Sequence, residues 1–114
     1  MKLTTTASDT ATVTIVVEGR LDALAAPQLR ARLDQAFEEG NYDLIVDLSR
    51  TSFVDSAGLA ALVRGMKASR QQGADLRLVR PASDEAYRVF ELTNFDAVFE
   101  FVAPVAGDRR SSED

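Results

Sequence analysis

Residues 42–66 read YDLIVDLSRTSFVDSAGLAALVRGM and hold one whole strand–turn–helix unit. The run Leu44-Ile45-Val46 lies at the centre of a strand over Tyr42–Leu48. Such near-continuous apolarity marks a strand covered on both faces in a parallel sheet. Thr51–Val54 links it to a helix over Ser56–Gln72, in which Leu59, Leu62, Val63 and Met66 fall at i, i+3, i+4 and i+7. Gly73 then provides a stop.

The elements on either side repeat this unit. Upstream, Thr12–Glu18 is rich in β-branched residues, with Val13, Ile15 and Val17 alternating against Thr12, Thr14 and Val16. Gly19-Arg20-Leu21-Asp22 is expected to end that strand, and Lys2–Ala7 is a short, polar edge-strand candidate. A helix over Ala25–Glu39 follows, with Pro27 in its first turn, where a missing N–H costs nothing. Leu29, Leu33, Ala36 and Phe37 make its apolar face, and Gly40-Asn41 its end. Downstream come a strand over Ala74–Val79, a helix capped by Ser83 or Asp84 and running to Leu92, and a last strand over Val98–Val102. The order ββαβαβαβ predicts one α/β domain over residues 1–102. Its mixed sheet has four to five strands, an antiparallel N-terminal edge and about three packed helices. Residues 103–114, with Pro104, Gly107 and a charged end, are expected to form a disordered tail.

Composition removes several kinds of chemistry. The chain has no cysteine and no histidine, so histidine-based triads and the usual zinc ligand sets are absent, and no cofactor, metal or catalytic residue is expected. A serine-hydrolase elbow wants glycine where Val54 stands. A receiver domain wants an acidic pair after the first strand and a late lysine, yet no lysine follows Lys67. Thirteen Lys plus Arg against eighteen Asp plus Glu give a net charge of −5, with the basic residues interleaved among acids. That argues against direct nucleic-acid or membrane binding. No apolar run has the length of a membrane span, so a cytoplasmic setting is expected. A monomer is expected too, because docking the helices should leave no exposed apolar face.

Candidate functional residues gather where the chain enters the second helix. Asp55 and Ser56 are both favoured capping residue types, and either can accept a first-turn N–H. Gly58 lies inside the first turn, where glycine costs about 1 kcal/mol relative to alanine; a close backbone approach or a packing contact with the sheet would require it.

These residues resemble a known family. Val54-Asp55-Ser56-Ala57-Gly58-Leu59, after Asp47-Leu48-Ser49-Arg50-Thr51-Ser52-Phe53, is similar to the signature of STAS domains, specifically the bacterial anti-sigma factor antagonists. Gly19-Arg20-Leu21-Asp22 resembles the family's "G-x-[LI]-D" strand end, and Leu92-Thr93-Asn94-Phe95 stands where "L-T-G-[LF]" is common. The likeness spans residues 12–102. It implies a partner switch: the unphosphorylated antagonist binds an anti-sigma factor that is itself a serine kinase, phosphorylation breaks the complex, and a PP2C-type phosphatase resets it. By motif position Ser56 is the phospho-acceptor, and Asp22, Leu24, Asp55, Ser56, Ala57 and Gly58 form the partner-binding set. Alanine at position 57, where many relatives carry Ser or Thr, removes a neighbouring acceptor. Asp22 has a second reading as a cap of the turn before Pro27, Leu24 is either core or partner contact, and Asp47 reads as structural. The rival reading is a STAS scaffolding or weakly nucleotide-binding subunit of a transport or stressosome-like assembly; no phosphate-binding G-x-x-x-x-G-K-[ST] loop is present.

Overall fold

A computed structural model describes residues 1–7 and 12–104. Its strands are β1 (Lys2–Ala7), β2 (Val13–Leu21), β3 (Leu44–Val54), β4 (Leu76–Val79) and β5 (Phe101–Val102). The helices are α1 (Ala26–Glu38), α2 (Ser56–Gln71) and α3 (Asp84–Leu92), with a short 3-10 turn at Phe95–Ala97. The five strands lie side by side in chain order, β1 antiparallel to β2 and every later pair parallel. This is the mixed sheet with an antiparallel edge and three helices that the element order predicts. Most of the proposed tail, from residue 105 onward, lies outside the described residues.

Strands that advance in one direction through right-handed crossovers must place all their helices on the same face. The core shows this. Val13, Ile15 and Val17 of β2, Leu44, Val46 and Leu48 of β3, and Leu76 and Leu78 of β4 join Leu29, Leu33, Leu62 and Phe90 in one buried cluster. The alternate residues Thr14, Ile45, Asp47 and Val79 point to the other face, as the two-residue period of a strand requires, and lie outside that cluster. Asp47 is 3% exposed and its Oδ1 accepts from the Ser49 N–H at 2.9 Å, so it is a structural acid in mid-strand.

Two strands run further than their sequences indicate. β2 continues through Gly19 to Leu21, and β3 continues through Thr51–Val54 instead of ending at Leu48. Register shifts at Val16/Glu18 and Gly19/Arg20 make this extension possible, with Gly19 at φ +98°. The residue that reads as a stop is therefore a bulge. The first shift leaves Val17 without a partner on β3, and the Thr51 hydroxyl donates to its carbonyl at 2.9 Å. The extension sets Leu21 beside Val54, at the doorstep of α2.

At the other edge, β5 is shorter than expected. Asn94 adopts φ +63° and opens the 3-10 turn, so Val98 falls outside the strand. Asparagine is among the few non-glycine residues that take the left-handed region readily, which explains why it stands in a place where glycine is common. Ser83 is the cap of α3, accepting from the Ala86 N–H at 3.2 Å. Leu24, 88% exposed, and Leu92, 72% exposed, are apolar side chains that stand outside the core.

Among the described residues the core contains one polar mismatch. Ser69 is completely buried on α2 and its hydroxyl has no hydrogen-bond partner among them. A buried hydroxyl left unpaired is destabilising by about 1–3 kcal/mol. Ser69→Ala removes that group and adds helix propensity, so it is expected to raise the unfolding free energy by about 1 kcal/mol. Urea unfolding with an unchanged slope checks this, and a lower midpoint would show that the hydroxyl has a role in packing.

Candidate functional site

β3 delivers a buried Val54, and the next residue turns the chain into α2. Asp55 is extended (φ −107°, ψ −173°) and is the N-cap: its Oδ1 accepts from the Gly58 N–H at 2.9 Å. Its other oxygen, Oδ2, accepts from the Ala23 N–H at 3.1 Å, and its own N–H donates to the Leu21 carbonyl at 3.2 Å. One carboxylate thus fastens the first turn of α2 to the loop that follows β2.

This settles the choice between the two capping candidates. Ser56 is the first residue of α2, exposed to solvent, and among the described residues no hydrogen bond involves its hydroxyl. A serine that does not cap keeps its oxygen for other chemistry. Ala57 is half-buried behind it and packs on the core.

Gly58 meets both of its anticipated requirements. A Cβ built there would lie 2.3 Å from the Leu21 carbonyl oxygen and 2.8 Å from Leu21 Cγ. The first turn of α2 therefore rests directly on the backbone of β2, a contact only glycine permits.

Asp22 closes the adjacent loop. Its Oδ1 accepts from the Leu24 and Ala25 N–H groups at 3.2 and 3.1 Å, and its carbonyl accepts from Ala25 and Ala26 at 3.0 and 2.8 Å. Asp22 caps the turn before Pro27 and also stands beside the Asp55–Ser56 corner through Ala23. The Ala25 N–H, helped by Arg20, holds the Asp22 carboxyl below the ordinary aspartate range. A depressed carboxyl stabilises the folded loop above its unfolded-state pKa, about 3.9, and that contribution fades as pH falls through the lower folded value. The Leu24 and Ala25 amide resonances are accordingly expected to titrate at a pH below that of a free aspartate. A midpoint at or above the free value would mean that the Asp22 bonds do not form in solution.

Leu24 is not core. It stands 88% exposed on this pinned loop, so the apolar side chain is held out toward solvent by a rigid base. Arg20, not among the anticipated site residues, lies with Nε 3.5 Å from Asp22 Oδ2 and its guanidinium 4.2 Å from the Phe53 ring centre. Its signal was present in Gly19-Arg20-Leu21-Asp22, where Asp22 is two residues away, but Phe53 comes from β3 and no local pattern announces that contact. The remaining anticipated residues do come together: Asp22, Leu24, Asp55, Ser56, Ala57 and Gly58 all lie on the turns beyond the ends of β2 and β3.

From Ser56 a groove of about 670 Å³ runs along the flank of α2, with Phe95 also in its lining. The sequence pattern did not indicate it, because Phe95 reaches α2 from the far end of the chain. Among the described residues no cluster of acidic side chains is placed to share a metal ion, and no helix is long and apolar enough to cross a membrane.

Comparison with known proteins agrees with this geometry. The STAS domain model matches residues 2–107. An anti-sigma-B factor antagonist of Listeria monocytogenes is 34% identical over 92 residues, covering 81% of this chain and 80% of the relative. A proposed anti-sigma factor antagonist of Thermotoga maritima superposes with a TM-score of 0.81 at 21% identity, covering 96% of this chain and 92% of that one. The Bacillus cell fate determinant SpoIIAA in its phosphorylated form superposes at 0.72 with 22% identity, covering 99% and 100% of the two chains. Its unphosphorylated form has a TM-score of 0.71. With the fold, the Asp55–Ser56 corner and these relatives in agreement, the chain belongs to the STAS domain family, alongside the anti-sigma factor antagonists.

Proposed function

We propose that the protein is an anti-sigma factor antagonist controlled by phosphorylation of Ser56. Unphosphorylated, it binds an anti-sigma factor that is also a serine kinase, and so releases a sigma factor. Phosphorylated, it lets the anti-sigma factor go, and a PP2C-type phosphatase returns it to the binding state. It acts in the cytoplasm, residues 1–102 carry the function, and the chain is the substrate of the kinase rather than an enzyme.

The observation that carries this reading is the division of labour between neighbours. Asp55 does the capping, so the Ser56 hydroxyl is left exposed on a backbone that cannot drift. The helix N-terminus tolerates a phosphoryl group, since its unpaired N–H groups and macrodipole favour negative charge. The surrounding charge works against a partner instead: phosphoserine adds about −1.5 to −2 beside Asp55, in a chain already at −5. Leu24, Asp22 and Ala57 complete the docking surface, with Leu24 as its apolar anchor. The existence of SpoIIAA in both forms supports the view that this fold accommodates the modification.

The test is to incubate the chain with ATP and the anti-sigma factor kinases of its source organism, and to read intact mass. One phosphoryl adduct on the wild type and none on Ser56→Ala is the expected result. Equal modification of both chains would assign the acceptor elsewhere, and no modification by any of these kinases would remove the switch.

A further inference from the structure

β1 is the outer strand of the sheet, with β2 on one side and, among the described residues, no strand on the other. Its far edge presents a row of backbone N–H and C=O groups ready to pair with another strand. Proteins blunt such edges with prolines, bulges or charges. Lys2–Ala7 has no proline, and its residues pair with β2 in unbroken register, whereas β2 and β3 shift twice. All its residues but Leu3 are exposed, and Thr4, Thr5 and Thr6 are β-branched residues that suit a strand. Docked helices remove apolar faces, but they leave this edge as it is.

Charge separates the edge from the rest of the surface. The chain carries −5, so two copies repel one another in most orientations. β1 holds no acid, and its one charged side chain, Lys2, stands at the end of the strand. A second copy therefore meets the least repulsion here.

The edge also fits itself. Two copies of one strand that pair antiparallel are related by a two-fold axis perpendicular to the sheet. Facing residues then point to the same side, so Leu3, Thr5 and Ala7 meet only one another, as do Lys2, Thr4 and Thr6. The axis must pass through Thr4 or through Thr5. In the first register Leu3 faces Thr5 and Lys2 faces Thr6; in the second Leu3 faces Ala7 and Thr4 faces Thr6. Neither sets lysine against lysine, and both put threonine opposite threonine. Leu3, which packs half-buried at the rim of the core, gains cover in either. α1 flanks this edge, since Arg32 Nη1 donates to Thr5 Oγ1 at 2.5 Å. The two α1 helices, each about 20 Å long, add the side-chain area that a strand seam alone lacks.

We propose that the protein forms a symmetric homodimer in which β1 pairs antiparallel with β1 of a second copy, joining the two five-stranded sheets into one. Lys2 pairs with Glu18, so the N-terminal end of β1 lies toward the Ser56 corner. Antiparallel pairing sends the two corners to opposite ends of the joint sheet and leaves both open. The dimer is thus bivalent, and it does not depend on the Ser56 reading.

The chain has no cysteine, so one introduced cysteine reports only on its own neighbour. On the axis its Cα lies about 4.5–5.5 Å from that of its copy, within the span a disulfide bridges. Thr4→Cys, Thr5→Cys and, as a remote control, Gln71→Cys are oxidised in the full chain and followed on non-reducing gels. One of the two threonine positions is expected to crosslink at least about tenfold faster than Gln71→Cys. Light scattering at about 100 μM wild-type chain should give the mass of two copies. Glutamate at the crosslinking threonine, or lysine there, sets like charges face to face and should weaken the dimer by at least about tenfold. Mixing the glutamate and lysine variants should restore a two-copy particle containing one of each.

A single-copy mass at that concentration overturns the dimer. A two-copy mass without faster crosslinking at either threonine, or without rescue on mixing, overturns the β1 seam. Either result leaves Ser56 phosphorylation standing, because the glutamate variant is expected to accept phosphate as the wild type does. Failure of every kinase to modify Ser56 would sink the switch and leave the dimer untouched.

Discussion

Gly58→Ala lowers the unfolding free energy by about 3 kcal/mol and the melting temperature by more than about 10 °C. Helix propensity alone points the other way, since alanine gains about 1 kcal/mol over glycine in a helix interior. The tertiary contact outweighs it. The new Cβ would sit 2.3 Å from the Leu21 carbonyl oxygen, a backbone atom that cannot rotate aside. Relief requires α2 to lift from β2, which pulls apart the Asp55 N–H bond to that same carbonyl and the Asp55 link to Ala23. Gly65, in the same helix, is the internal control. Its Cβ would come within 2.9 Å of Leu33 Cδ1 and Leu76 Cδ1, the tips of side chains that can yield. There crowding and propensity nearly cancel, and Gly65→Ala is expected to change stability by less than about 1 kcal/mol. Urea midpoints for both variants decide the matter. Gly58→Ala as stable as the wild type would mean that the close approach to Leu21 is not present in solution.

Ser56→Asp is expected to weaken kinase binding by at least about a hundredfold while moving the melting temperature by no more than a few degrees. The separation of the two effects follows from the site. Ser56 is exposed and gives up no hydrogen bond of its own on substitution. At the first helical position a carboxylate meets the favourable end of the macrodipole, worth about 0.3–1 kcal/mol. A partner surface fitted to a neutral hydroxyl must instead desolvate a charge beside Asp55, and an unpaired charge in an interface is opposed by several kcal/mol. Ser56→Ala should bind like the wild type and accept no phosphate. Asp55→Ala should behave in the opposite sense, losing about 1–2 kcal/mol of stability through the missing cap. A large drop in melting temperature for Ser56→Asp would sink the assignment of capping to Asp55. Undiminished affinity would sink the switch.

Much of this architecture is legible in the chain because it rests on short periods. The stripe Leu59, Leu62, Val63 and Met66 predicts α2, and Ser56 is indeed its first residue. Helices and strand centres were readable for that reason; strand ends were not. Gly19 looks like a terminator when only its neighbours are considered, and it becomes a bulge because β3, some thirty residues later, offers Thr51–Val54 to pair with. The same limit applied at β5, where the turn at Asn94 took residues that have strand-like composition. Leu24 could be placed neither in the core nor outside it, because an apolar residue in a loop carries no period.

The sequence by itself determined the α/β class, the order of elements, and a short segment in which a serine or an aspartate begins the second helix beside a costly glycine. These are consequences of side chains three or four positions apart. Only the tertiary structure decided which of the two caps, why the glycine is required, that Leu24 faces solvent, and that α2 carries a groove. Most of these depend on a contact between distant segments, as when Asp55 accepts from Ala23 across 32 positions. Ser56 is left free because Asp55 takes the local cap through the Gly58 N–H, and β2 and β3, extending together, bring the distant Ala23 N–H to its other oxygen and hold it there, a circumstance no window along the chain contains.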